Sequence, residues 1–288
     1  MENNGIIKDV LSKATNRRSL FKKLAVASAA IGAVGVAAKA QAAAPAPADV
    51  VQFALNLEYL EAEFYSLAST GMTLAQQGIA ITGSGTQGAT TTQFNYSSVN
   101  FQTNAAARAI ANIARDEMNH VVLLRGALTA NGVTPVAKPA INLDALASMG
   151  ASLGNQGSFL VLARIFEDIG VSAYCGGAGY LVGSPYLATA ARILAVEGEH
   201  VGNIRLQLGQ LGIPTSAIDG ADVVPPPSGM NYFSTNTTTG LCAVRTPGQV
   251  LFLAYGGVAN ATAGGFFPNG VNGVLNMSSA AATVTALS

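Results

Sequence analysis

The sequence predicts an all-α protein: a four-helix bundle followed by a mostly irregular tail with one short helix. Three observations predict it. Glu117-Met118-Asn119-His120 and Glu197-Gly198-Glu199-His200 repeat one pattern, a Glu three residues before a His, and contain the only two His of the chain. Apolar residues recur at helical spacing through four long stretches. The 288 residues are 50% hydrophobic and only 10% charged, against a usual charged share of about 25%. Most of the apolar residues are Ala, Val, Leu and Ile, which suit closely packed helices.

Three steps on a helix leave two side chains about 60° apart on one face. A carboxylate and an imidazole aimed at one point make half of a metal site. Two such halves on facing helices, with one further Glu from each of two others, make a dimetal centre inside a bundle. Helix histidines with incidental acids are the plainer reading of one such pattern. Its repetition argues against that reading.

Residues 1–42 read as a cleavable export signal. They hold seven of the 15 Lys and Arg but two of the 15 Asp and Glu, so the remainder has eight basic and 13 acidic residues, a net of −5. That sign disfavours nucleic acid and anionic membranes as partners. Asn16-Arg17-Arg18-Ser19-Leu20-Phe21-Lys22-Lys23 precedes an apolar run from Leu24 to Ala38, and Ala40-Gln41-Ala42 offers small residues for cleavage. The paired arginines resemble a twin-arginine signal, which implies the export machinery as a partner and a periplasmic or extracellular mature protein. The run is about 15 residues, short of the roughly 20 that span a bilayer. A retained N-terminal membrane anchor is the alternative.

The bundle is expected over 49–212. Asp49 would cap a first helix from Val50 to Ala68, which carries Glu58, Glu61, Glu63 and Tyr65. Three acids on an apolar helix need partners or metal. Residues 70–100, rich in Gly, Thr, Ser and Gln, form a long connection with at most a hairpin or helical turn. Asn104 would cap the second helix, Ala105 to Ala130, which ends at Asn131-Gly132. A short helical stretch follows near Leu143 to Met149. The third helix spans Gln156 to Val182, and its Gly176, Gly177 and Gly179 allow close packing. The fourth starts at Ser184-Pro185 and ends at Leu211 before Gly212.

An internal duplication supports this division. Glu58 and Tyr65 are seven residues apart, as are Glu167 and Tyr174. Ile113, Glu117, His120 and Arg125 recur at identical offsets as Ile193, Glu197, His200 and Arg205. Residues 213–288 form a Pro-, Gly- and Thr-rich appendage. In it Thr246-Pro247 opens a helix to Tyr255, and Phe266-Phe267-Pro268 lies in coil with its aromatics exposed or docked. Cys175 and Cys242 lack the spacing of a thiolate metal site, and whether they pair stays open.

The order Glu, Glu-x-x-His, Glu, Glu-x-x-His on four helices resembles the ferritin-like superfamily. Asn56-Leu57-Glu58 with Tyr65 is similar to the first helix of ferritins and bacterioferritins. The signal and the Phe266-Phe267-Pro268 tail look more like exported bacterial ferritin-like proteins related to plant desiccation-related proteins. The resemblance covers residues 50–212. It implies an up-down bundle with a long crossover between helices 2 and 3, over 131–155. It also implies that Glu58, Glu117, His120, Glu167, Glu197 and His200 bind two metal ions. This donor set suits Fe or Mn.

Glu117 and Glu167, or their symmetric mates, would bridge the two ions, and Glu61 is an additional candidate ligand. Asp116 and Asp168 either orient the His rings or pair with Arg115 and Arg164. Tyr65 and Tyr174, the catalytic candidates, could bond a ligand carboxylate, pass an electron, or simply pack. Gly176, Gly177, Gly179 and Gly198 could thin the bundle wall, with 70–100 over the entrance. The expected function is oxidase, ferroxidase or peroxide-handling chemistry on Fe(II), O2 or peroxide. The alternative is a non-catalytic envelope or stress-protection protein stapled by its metal. The long 70–100 insertion speaks against a storage cage and leaves a homo-oligomer open.

Overall fold

A computed structural model describes residues 44–94, 99–220 and 222–280. The expected export segment lies outside them. Among the described residues no helix is long and apolar enough to cross a membrane. Helices α1 (Pro47–Thr70), α2 (Asn104–Ala130), α3 (Gln156–Ala178) and α4 (Leu187–Leu211) form the up-down bundle, and α5 (Pro247–Ala254) lies in the tail. In the bundle α1 packs mainly on α2, and α3 on α4. At about 1.5 Å per residue, α2 runs about 40 Å. The crossover must return along that length before α3 begins, which is why it is long.

The helix starts differ from expectation in small, physical ways. Pro47 occupies the first turn of α1, where its fixed φ and missing N–H cost nothing. Asp49 therefore sits inside the first turn rather than capping it, and it favours the helix dipole there. Thr103, not Asn104, caps α2, its hydroxyl accepting from the Ala106 amide at 3.0 Å. Asn155 caps α3 in the same way through Ser158. A 3-10 turn over Gly179–Leu181 ends α3 before Val182. Thr246 and Gln249 form the reciprocal capping box of α5, with Pro247 in its first turn.

The two long connections are laced together. Strand β1 (Thr90–Thr91) pairs in parallel with β2 (Ile141–Asn142), and Ser84 bridges to Val136. The first connection thus pairs with the crossover instead of folding on itself. Gly88 permits this approach, because a Cβ there would lie 2.3 Å from the Ala140 amide nitrogen.

Two buried amides on α1 anchor both layers. Gln52 donates to the Thr134 carbonyl at 2.8 Å and accepts from the Val136 amide at 2.7 Å. Asn56 donates to the Asn272 carbonyl at 2.9 Å and accepts from the Asn272 amide at 3.0 Å. Polar groups in a core are tolerated when both partners are supplied.

The tail docks on the bundle. Phe266 and Phe267 are buried, and Phe266 meets Phe166 of α3 edge-on at 4.9 Å. Arg205 is fully buried, bonded to Asp168 at 2.7 Å and to tail carbonyls at Val223, Asn231 and Tyr232. Gly176 accepts the tail backbone, because any Cβ would collide with the Arg245 carbonyl. Phe267→Ala should lower stability by about 3–5 kcal/mol, the usual cost of emptying a buried aromatic site. Urea unfolding of the full chain measures it, and a loss under about 1 kcal/mol would mean the tail packs loosely.

Candidate metal centre

Each of the four long helices carries donors to one point. α1 supplies Glu58, α2 Glu117 and His120, α3 Glu167, and α4 Glu197 and His200, all buried. Two donor groups form. Glu58, Glu117, His120 and Glu197 make one, and Glu117, Glu167, Glu197 and His200 the other; within each, the donor atoms lie within 4.8 Å of one another. Glu117 and Glu197, the Glu of each Glu-x-x-His, belong to both. The shared pair is thus not Glu117 with Glu167. Glu117 and Glu197 lie beside the imidazoles, which places them between the two donor groups.

The distances fit that division. His120 Nδ1 stands 3.3 Å from Glu58 Oε2, 3.5 Å from Glu117 Oε2 and 3.2 Å from Glu197 Oε1. His200 Nδ1 stands 2.9 Å from Glu117 Oε1 and 3.6 Å from Glu167 Oε2. These atoms face one another without hydrogen-bond alignment. Glu58 Oε2, Glu167 Oε2, both oxygens of Glu117 and Glu197, and Nδ1 of both His are buried with no hydrogen-bond partner. Buried polar atoms are rarely left so. An orphaned set of carboxylate and imidazole donors at one point is what a hard or borderline cation requires.

Tyr65 and Tyr174 connect the halves of the duplication. The Tyr65 hydroxyl donates to Glu167 Oε1 at 2.5 Å, and the Tyr174 hydroxyl donates to Glu58 Oε1. Each tyrosine thus holds the outer oxygen of a Glu on the other helix and leaves the inner oxygen for the centre. The exchange is reciprocal, so α1 and α3 run antiparallel, with each Tyr level with the opposite Glu. This explains the matched seven-residue offsets.

Other candidates fall elsewhere. Asp168 does not reach a His ring; it pairs with Arg164 and Arg205 at 2.7 Å each. Asp116 pairs with Arg115 at 3.0 Å and lies 3.7 Å from His200 Nε2. Glu63 points away from the centre toward Lys138, at 3.6 Å. Glu61 is buried beside the ligand carboxylates but belongs to neither donor group. Gly176 serves the tail, and Gly179 and Gly198 face open space.

The glycine at the site is Gly170, which lies outside the Gly176, Gly177 and Gly179 cluster. A Cβ there would lie 3.1 Å from Glu61 Oε1 and 3.2 Å from Glu197 Oε2. The duplication contains its signal. Gly170 stands three residues after Glu167, where Glu61 stands three after Glu58.

Burial sets the protonation. It pushes Glu58 from 4.5 up to about 7, against the pull of His120. It lifts Glu61 and Glu197 well above the carboxylate range, with neighbouring carboxylates adding to the rise. Burial also raises Glu167. Glu117 goes the other way: burial opposes its charge, but the two imidazoles beside it hold its carboxyl low. Burial opposes the charge of His200 as well, but Glu167 and Glu117 push it up to about 12.

A four-helix bundle whose interior converges four carboxylates and two imidazoles has the donors that could hold a metal ion. Residues 46–210 match the family model of the ferritin-like domain, more than half of the chain, and the chain belongs to that family. A comparison with curated proteins gives no match.

The shifts predict how metal-free protein responds to pH. Between 4.5 and about 7 the folded chain holds a proton on Glu58 that the unfolded chain releases. Glu61, Glu167 and Glu197 shift in the same direction. Each contribution is present below the unfolded value and is lost as pH rises through the folded one. The depressed Glu117 acts in the opposite sense, but only below 4.5. Metal-free protein should therefore melt at lower temperature as pH rises across this window, and metal uptake should release protons. Melting scans and a proton-release titration check both; a melting temperature that rises with pH would show that these carboxyls ionise more readily in the folded chain than in the unfolded one.

Proposed function

We propose that this protein is an exported metalloprotein that binds two Fe or Mn ions and handles Fe(II), O2 or peroxide. The observation that carries the reading is the pair of overlapping donor groups, one on each Glu-x-x-His, with their inner oxygens and nitrogens unpartnered. Glu58, Glu117, His120 and Glu197 would hold one ion. Glu117, Glu167, Glu197 and His200 would hold the other. Bound metals would supply redox change and Lewis acidity at exchangeable positions.

The chain's own residues do the rest. Tyr65 and Tyr174 orient Glu167 and Glu58 through their hydroxyls, and burial and the neighbouring carboxylates hold each phenolic proton in place. The imidazoles spread positive charge between carboxylates that would otherwise repel. The apolar residues around the donor set exclude bulk water, which strengthens each electrostatic contact. The resemblance of signal and tail to exported bacterial relatives of desiccation-related proteins fits a stress setting, in which Fe(II) and peroxide meet.

Three experiments test this. Metal analysis should find two ions per chain in the wild type and loss of tight binding in the His120→Ala/His200→Ala variant. Unchanged stoichiometry there would reject the ligand assignment. Protein loaded with Fe or, separately, Mn should oxidise added Fe(II) or consume peroxide faster than free metal. Tyr65→Phe should slow that turnover more than it weakens metal binding. Full occupancy without turnover would instead support a structural staple. For export, changing Arg17 and Arg18 to Lys should retain the protein in the cytoplasm; normal secretion of that variant would end the twin-arginine reading.

A further inference from the structure

A cavity of about 950 Å³ lies between the α1/α3 face of the bundle, the 213–220 segment and α5 of the tail. That is the size of pockets that enclose drug-sized ligands, about 300–1,000 Å³. Its wall on α1 is Leu57, Leu60 and Glu61, one helical face. Its wall on α3 is a stripe through Val161, Ile165 and Ile169 that ends at Gly170. Phe252, Leu253 and Phe266 form the roof from the tail. Exposed Met149 lies on the outer part.

Polar groups are unevenly placed. Ser158, Thr215, Ser216, Ser228 and Asp219 line the cavity on α3's first turn and the 213–228 tail, and Asp219 is paired with Arg245 at 2.6 Å. Glu61 is the one acid that the bundle helices contribute to the wall, and it is buried. Gly170 also lines the cavity, and beyond its missing side chain are Glu61 Oε1 and Glu197 Oε2. The inner end of the cavity is thus one carboxylate away from the donor set. Nothing in the duplication demands this space, because the mate of Glu61 is a glycine.

We propose that this cavity binds a neutral, mainly apolar organic molecule with one hydrogen-bonding end, and that this end sits at Glu61. The apolar stripes supply burial, on the order of 25 cal/mol per Å² of apolar surface removed from water. Glu61 supplies the single polar anchor, in keeping with pockets that are largely apolar with few placed polar groups. An anionic head is disfavoured, because the lining contains Glu61 and Asp219 but no Lys, Arg or His to pair with it. The binding claim stands without metal. That the polar end faces a metal ion rests on the function proposed above.

The test uses the full chain and a neutral dye, N-phenyl-1-naphthylamine, whose fluorescence rises in apolar surroundings. The dye should bind, and 1-dodecanol should displace it at a concentration at least tenfold lower than dodecanoate does. Val161→Trp and, independently, Leu253→Trp should cut dye binding at least tenfold with metal content and the circular dichroism spectrum unchanged. Glu61→Leu should weaken dodecanol more than the dye. In Mn-loaded protein the C1 protons of dodecanol should relax faster than its terminal methyl. No dye binding, stronger displacement by dodecanoate, or full binding in whichever Trp variant folds would overturn the proposal. Failure of Mn to load would count against the metal reading alone, since dye displacement is read without metal.

Discussion

Five glutamates buried around one point, with two imidazoles among them, are the constraint on which the bundle depends. An uncompensated buried charge costs on the order of several kcal/mol. The structure meets this cost in parts. Tyr65 and Tyr174 each satisfy one outer carboxylate oxygen. Glu117 stays charged between two imidazoles. The raised carboxyls remain protonated or await a cation. None of this works unless four helices keep fixed separations. That explains why polar side chains elsewhere in the core, such as Gln52 and Asn56, are spent on fastening the outer layers to α1.

The duplication supplies a symmetric ligand set, and its surroundings break the symmetry. Arg125 and Arg205 occupy equivalent offsets but have different roles. Arg125 donates to the Tyr59 hydroxyl at 2.5 Å and to the Thr82 carbonyl at 2.8 Å, so it serves the first connection. Arg205 is fully buried and serves the tail. Each arginine follows whatever segment covers its helix. The inward-facing donors keep matched positions on their helices, whereas the two arginines serve different segments.

This division also decides what was legible in the sequence. Helix periods and the Glu, His and Tyr offsets report the inward face, and they located the four helices and the residues that converge. Cap residues slipped by one to three positions, because Pro47 and Thr103 compete with Asp49 and Asn104 for the same role. The pairing of the two connections was not legible: Thr90–Thr91 and Ile141–Asn142 are two-residue strands with no period to detect. Asp168 had two readings in the sequence, and the structure pairs it with Arg164 of α3 and Arg205 of α4 rather than with a ring nitrogen. Gly170 stands apart from the clustered glycines of α3, and its meaning lies in its alignment with Glu61.

Gly170 and Glu61 together give the site its direction. On the α2 and α4 side Asp116, partly exposed, lies 3.7 Å from His200 Nε2. That side offers a partly exposed carboxylate to a small cation. On the α1 and α3 side, the cavity reaches inward to Gly170 and Glu61. Any larger residue at position 170 would press on Glu61 and Glu197 within 3.2 Å, and would close the inner end of that space. The missing side chain at position 170 leaves only the Glu61 carboxyl between the inner end of that cavity and Glu197.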